Sequence, residues 1–256
     1  MTADGRGAGG AGDYRRRIFE RYASAFKGNP GPAEAEARCR SHAAALDSML
    51  GPWLAADRPS RVLEIGCGAG AFLWWARSRG IGEVAGVDLS GEMVAQARSL
   101  GLPAELGDAR SSLAERRGLD WIVAFDLVEH FRRDEVFEVL ELCRGALREG
   151  GRILLSTPNA AAWRPGPVAA GDLTHETIFT PSTIRLALEL AGFRDVRVAE
   201  VPPPVHGPLS LARRVLWAAV RRIPWLIDRI ETGGDGGGIY TRVMFVAAAR
   251  GAEGGP

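Results

Sequence analysis

The stretch Arg61-Val62-Leu63-Glu64-Ile65-Gly66-Cys67-Gly68-Ala69-Gly70-Ala71-Phe72 restricts the fold more than any other part of the chain. Val62 to Ile65 is an apolar run with a single acid, as in a strand buried on both faces, and a helical pattern follows from Phe72 to Arg79. Strand, tight glycine turn and helix are therefore expected in that order. Glycines at 66, 68 and 70 let the backbone turn sharply and approach a ligand with no Cβ in the way, while the next helix aims its unpaired N–H groups at the same point. Gly66-x-Gly68-x-x-Ala71 also satisfies the dinucleotide fingerprint, so the spacing alone leaves the ligand open. Glu64 separates the alternatives: an anion sits poorly beside a pyrophosphate and well beside a cationic amine.

Alternation of apolar runs and helical patterns continues downstream, which predicts a doubly wound α/β sheet. Glu83 to Asp88 reads as the second strand, and its terminal acid lies at the distance from Gly66 expected for a carboxylate that accepts two hydrogen bonds from a ribose diol. Ser90 to Leu100 reads as a helix, Pro103 to Glu105 as a short third strand, and Gly107-Asp108-Ala109 as the loop after it. Asp120 to Phe125 is the fourth strand and runs into Asp126-Leu127-Val128-Glu129-His130-Phe131, a polar cluster at the strand ends where such sheets bind ligands. A helix over 134–148 and a fifth strand over 152–157 follow. Pro158-Asn159 ends that strand, and the Pro/Gly-containing loop 160–172 is long enough to act as a lid. A helix over 181–191 and strands over 196–201 and 239–249 complete the pattern.

Length and charge limit what surrounds this core. At 256 residues the chain suits one α/β domain with additions, and a net charge of +1 supplies no field that would recruit nucleic acid. Three cysteines without metal-type spacing point to free thiols in a reducing cytoplasm, and no apolar run reaches membrane-spanning length. Residues 1–12 read as a disordered leader, 13–57 as an N-terminal helical cap and 58–256 as the main domain. Within the cap, one helix is expected from Asp13 through Phe26 and a second from Ala33 to Leu50, stopped by Gly51-Pro52. Between the last two strands, 208–231 forms a helical insertion. Leu209, Val215, Leu216, Ala219, Val220 and Ile223 share one helical face there, Arg214, Arg221 and Arg222 lie on the other, and Pro224 is expected to break the helix. Such an element suits closure over an acceptor, pairing of subunits into a homodimer, or peripheral contact with an anionic membrane, as well as plain packing.

Glu64-x-Gly66-x-Gly68-x-Gly70 resembles the loop of the class I S-adenosylmethionine-dependent methyltransferases, where it holds the methionyl part of the cofactor. Glu129-His130, Leu147-Arg148-Glu149-Gly150-Gly151 and Ser156-Thr157-Pro158-Asn159, in that order, are similar to the branch with ubiquinone-pathway, sugar and natural-product O-methyltransferases. The resemblance runs from about Arg61 to Val201. It implies a Rossmann-like seven-stranded sheet with the last strand antiparallel, and cofactor contacts from Glu64, Gly66, Cys67, Gly68, Asp88, Leu89, Asp108, Ala109 and Asp126. It also implies transfer to a hydroxyl of a sugar, glycan or small secondary metabolite.

A hydroxyl must lose its proton as it attacks, so a base or a metal is expected near the methyl. His130 and His175 are the candidate bases. Asp126, Glu129, His130 and His175 are alternatively a divalent-metal set, since Asp126-x-x-Glu129-His130 with a later His175 is similar to the Glu-x-x-Glu-His and later His of the Hen-type small-RNA methyltransferases. Asp126 departs from that pattern. The rival readings are a non-catalytic adenosylmethionine-binding partner, an NAD-dependent enzyme, and a methyltransferase for a lipid-linked or quinone-type acceptor.

Overall fold

A computed structural model of the chain describes residues 30–56, 59–234 and 238–252, together with Ile18, Arg21, Ser24 and Gly28. The expected leader over 1–12, and most of the expected helix over 13–26, lie outside the described residues.

The first described helix, α1 (Pro32–Ala56), does not stop at Gly51-Pro52 as the sequence suggested; it runs through both. A proline inside a helix removes one hydrogen bond and crowds the preceding turn, costing about 3 kcal/mol. Against that cost stands a continuous apolar stripe. Leu46 and Leu50 are buried, and Trp53 and Leu54 extend the same stripe past the proline onto the core. Trp53 is further held between the guanidiniums of Arg152 and Arg197, at 5.2 and 5.5 Å from its ring centre.

Behind α1 stands a seven-stranded sheet of β1 (Arg61–Ile65), β2 (Glu83–Asp88), β3 (Ala104–Leu106), β4 (Leu119–Phe125), β5 (Leu147–Pro158), β6 (Phe193–Glu200) and β7 (Val243–Arg250). The order is β3-β2-β1-β4-β5-β7-β6. β1 pairs in parallel with β2 and β4, while β7 is antiparallel to both β5 and β6. The expected Rossmann-like sheet with an antiparallel last strand is the one observed. The helices between strands are α2 (Ala71–Ser78), α3 (Gly91–Ser99), α4 (Ala109–Ala114) and α5 (Arg133–Ala146). After β5 come the short α6 (Gly166–Ala169) and α7 (Pro181–Leu190), and β6 is followed by α8 (Pro208–Val220) and α9 (Arg222–Thr232).

Alternation along the strands feeds two cores. Leu63, Ile65, Ile122, Ile153 and Leu155 face α5 and α7 on one side. Val62, Trp121, Val123, Leu154 and Phe245 face α1, α2 and α3 on the other. Strand ends differ from expectation in several places, β6 beginning at Phe193 instead of 196 among them. β5 begins at Leu147, because the Leu147–Gly151 segment joins the ladder through an irregularity beside β4. β7 begins at Val243 instead of 239, because Asn159 holds the approach to it: its Nδ2 donates to Ile239 O at 2.9 Å and Thr241 O at 3.0 Å, while its Oδ1 accepts from Ala161 N at 2.9 Å.

Asn159 is fully buried, so truncation would leave three backbone groups without a partner. Asn159→Ala is expected to cost about 2 kcal/mol and lower the melting temperature by roughly 4–8 °C. A thermal melt within a degree of wild type would contradict this role.

Candidate active site

The carboxyl ends of β1, β2, β4 and β5 share one edge of the sheet, and the polar residues singled out in the sequence gather there. Gly66 and Gly68 have φ of +70° and +51°, left-handed values that glycine adopts without strain. Gly66 N donates to Val87 O at 2.8 Å, tying the turn to β2. A Cβ on Gly66 would lie 2.8 Å from Leu127 Cδ1, so the turn after β4 presses directly on the glycine loop. A Cβ on Gly68 would meet nothing within 4 Å; the loop is open on that side.

Glu64 lies under this turn, 4 % exposed, and its Oε2 has no hydrogen-bond partner among the described residues. Burial, and secondarily the nearby Asp88, push its pKa well above the ordinary carboxylate value. A buried acid with an unfilled oxygen beside an open glycine turn is suited to a cationic group bound from outside. Asp88 ends β2; its carboxylate accepts from Gly68 N and Ser90 N, each at 2.8 Å, and so braces the loop. Burial raises its pKa while those two hydrogen bonds lower it. The next side chain, Leu89, is 52 % exposed and offers apolar surface beside the acid. The Cys67 thiol is buried and pushed up by that burial, so it stays protonated and unreactive.

Asp108 ends the loop after β3, at the N-terminus of α4. It caps α4, accepting from Arg110 N at 2.8 Å and Ser111 N at 3.3 Å, and pairs with Arg110 Nε at 3.4 Å. Ala109 is the first residue of that helix and is buried.

The turn after β4 carries the second cluster. Asp126 has φ of +49°, unusual for a residue with a side chain, and its Oδ1 accepts from Ser156 Oγ at 2.9 Å. The following residues, Val128 to His130, form one 3-10 turn. The backbone carbonyl of Glu129 accepts from Glu176 N at 2.8 Å and Thr177 N at 3.0 Å, and Thr177 Oγ1 donates to Phe131 O at 2.7 Å. These bonds draw the segment after α6 against the turn and bring His175 to His130, with ring centres 4.9 Å apart. Glu129, His130 and His175 each offer one donor atom within 4.8 Å of the others. Asp126 does not belong to that group, so the four-ligand set of the sequence reading reduces to three.

The hydrogen bonds fix the tautomer of both imidazoles. His175 Nδ1 lies 3.0 Å from the Ala169 carbonyl, which only accepts, so Nδ1 carries the hydrogen. His130 Nδ1 faces Thr174 O at 3.2 Å and Thr174 Oγ1 at 2.8 Å, and that hydroxyl donates to Asp172 Oδ1 at 2.6 Å. The neutral tautomer of each ring therefore carries its lone pair on Nε2. Burial, and then the neighbouring His175, lower the pKa of His130. Glu129 is 1 % exposed; its Oε2 accepts from Thr157 Oγ1 at 3.0 Å, while Oε1 has no hydrogen-bond partner among the described residues and lies 4.0 Å from His175 Nε2. Burial first, and Asp126 second, push Glu129 up to about 8. In the sequence Thr157 reads only as part of the motif ending the fifth strand, and Asp172 and Thr174 are given no role; the polar run Asp172-x-Thr174-His175 is the signal for the latter two.

A seven-stranded sheet of this order, with an antiparallel last strand and a glycine turn over a buried acid, defines a class I S-adenosylmethionine-dependent methyltransferase. A family model described as a methyltransferase domain matches residues 34–198, and the chain belongs to that family. A methyltransferase from Archaeoglobus fulgidus superposes with a TM-score of 0.60 over 90 % of this chain and 98 % of its own, at 23 % identity. Phosphoethanolamine N-methyltransferase 2 of Haemonchus contortus, solved with S-adenosyl-L-methionine, gives 0.58 over 91 % and 60 %, at 17 % identity. At those identities the likeness is one of fold. A tRNA U34 carboxymethyltransferase of Azotobacter vinelandii is 28 % identical over 206 residues, covering 75 % of this chain and 63 % of the relative, so the chain spans about three fifths of that protein.

The raised pKa of Glu129 has a consequence for stability. A carboxyl whose folded pKa of about 8 exceeds its ordinary 4.5 contributes stability that is complete below pH 4.5 and is lost as pH rises through 8. Glu129→Gln removes that contribution, so its melting temperature is expected to fall less than wild type between pH 6 and pH 8, by roughly 5 °C. Parallel pH profiles for the two proteins would contradict it.

Proposed function

We propose that this methyltransferase acts on a hydroxyl of a sugar, glycan or small secondary metabolite, and that the buried Glu129-His130-His175 cluster receives the hydroxyl proton. The observation that carries the reading is the convergence of two imidazoles and an unfilled carboxyl oxygen in the turn after β4. Thiols and amines need little besides alignment, whereas a hydroxyl needs a base, and a depressed pKa keeps His130 neutral at pH 7. In this reading Glu64 holds the α-amino group of the cofactor, Gly66 and Gly68 admit its methionyl chain, and Asp88 and Leu89 receive the ribose and the adenine edge. Asp108, at the cap of α4, faces adenine. When bound, the cofactor supplies a methyl on a sulfonium, which leaves as a neutral thioether once the acceptor oxygen has bonded to carbon. His130 or His175 takes the acceptor proton on Nε2.

A second reading keeps the same atoms. One carboxylate and two imidazole nitrogens within 4.8 Å also suit a manganese, iron or zinc ion, which would lower the pKa of the acceptor hydroxyl. A third acceptor class, a tRNA base, is raised by the names of the sequence relatives. The near-zero net charge speaks for a small acceptor, because nucleic-acid binding rests on phosphate neutralisation by a basic surface.

The test is methyl transfer from labelled adenosylmethionine to a panel of sugars and phenols, with bulk tRNA as a parallel arm. His130→Ala or His175→Ala is expected to lower kcat by roughly 10²–10⁴-fold while affinity for adenosylhomocysteine stays within about twofold. Label appearing in tRNA alone, or loss of cofactor affinity in both variants, would overturn the proposal. Loss of activity on exhaustive chelation, restored by added manganese, would select the metal reading over the direct base.

A further inference from the structure

The two helices between β6 and β7 are amphipathic in the opposite sense from ordinary surface helices. Their polar side faces the body of the protein. Arg214 donates to Pro203 O at 3.2 Å, Arg221 pairs with Glu200 at 3.2 Å and donates to Gly238 O at 2.7 Å, and Tyr240 Oη donates to Asp228 at 3.0 Å. Ser210 and Pro224 are the buried residues of α8 and α9. The sequence puts Arg214 and Arg221 on the face opposite the apolar one, and the structure turns both toward the body. What faces solvent is the apolar side: Leu209 is 78 % exposed, Leu216 62 % and Ile230 77 %, with Val215, Ile223 and Leu226 also exposed. The break at Arg221 lies three residues ahead of Pro224, which sits in the first turn of α9, where a missing N–H leaves nothing unpaired.

Outward residues at three- and four-residue spacing, among them Leu209, Leu216, Ile223 and Ile230, carry the stripe from one helix into the next with no charge inside it. Its borders are cationic. Arg213, Arg222 and Arg229 are exposed, and Arg229 lies over the ring of Trp225 at 5.4 Å from its centre, placing an amphipathic aromatic ring beside a cation at the rim. Of the two acids between 208 and 232, Asp228 is engaged by Tyr240, leaving Glu231 against three exposed arginines.

We infer that this face lies in the interfacial layer of an anionic lipid surface, with the apolar stripe among the upper acyl chains and Arg213, Arg222 and Arg229 at the headgroups. Charge complementarity selects lipid over a second copy of the chain: a two-fold contact of this face with itself sets arginine rim against arginine rim, whereas anionic headgroups neutralise it. None of the described helices is long and apolar enough to cross a membrane, so the contact is peripheral. The inference is independent of which acceptor the enzyme takes.

The experiment is co-sedimentation of the full chain with vesicles of phosphatidylcholine containing phosphatidylglycerol, against phosphatidylcholine alone. Wild type is expected to pellet with the anionic vesicles and to be released by salt. Leu216→Asp combined with Ile230→Asp is expected to weaken partitioning at least tenfold, and Arg213→Gln or Arg222→Gln roughly fivefold each, with melting temperature and cofactor affinity unchanged. Because the substituted side chains are exposed, a retained melting temperature separates lost docking from lost folding. Wild type remaining in the supernatant at low salt would overturn the inference. So would concentration-dependent dimerisation, seen by sedimentation equilibrium and abolished by the Leu216→Asp and Ile230→Asp pair, which would assign the face to a second copy.

Discussion

A carboxyl group without a partner, sealed beneath a loop of glycines, is the constraint around which the rest of the site is arranged. Desolvating Glu64 is unfavourable unless something compensates it, and within the described structure nothing donates to its Oε2. The glycine turn leaves room for the compensating group to arrive from outside. The surroundings of the turn are correspondingly firm: Val87 fixes Gly66, Asp88 fixes Gly68 and Ser90, and Leu127 fills the space that a Gly66 side chain would need. The region pairs a rigid backbone with one unsatisfied acidic group, which is the arrangement expected of a site prepared for a cation.

The acid and imidazole cluster after β4 follows related logic. Glu129 is buried with one oxygen bound to Thr157 and the other unfilled, and it titrates near neutrality instead of in the acid range. Its position depends on β5 supplying Thr157 and on the segment after α6 hydrogen-bonding to the 3-10 turn. The two clusters meet through Leu127, which stands between the glycine loop and Val128-Glu129-His130.

The parts of this arrangement that local chemistry dictates were legible in the sequence. The strand-turn-helix around Gly66, the acid ending β2 and the parallel order of apolar strands follow from period and glycine spacing, and the sheet matches them. Tertiary packing set the rest. Nothing local says that α1 continues through Gly51-Pro52, because the deciding interaction is Trp53 between Arg152 and Arg197, about a hundred residues and more away. Asp108 as a helix cap, and Asp126 bound to Ser156 apart from the histidines, likewise depend on backbone directions that periodicity does not encode. The insertion is the clearest case: its amphipathic pattern was readable, but which side faces the body was decided by Glu200, Pro203 and Tyr240, all outside the helices.

The proposal that Glu64, whose pKa burial raises, pairs with the cofactor's amine is tested most directly by calorimetric titration with adenosylhomocysteine. Running it at pH 7 in buffers of different ionisation enthalpy counts the protons exchanged on binding. The account predicts net proton release on binding by wild type that Glu64→Gln lacks, together with weaker binding by Glu64→Gln. Binding of undiminished affinity by Glu64→Gln, or the same proton count in both proteins, would contradict it.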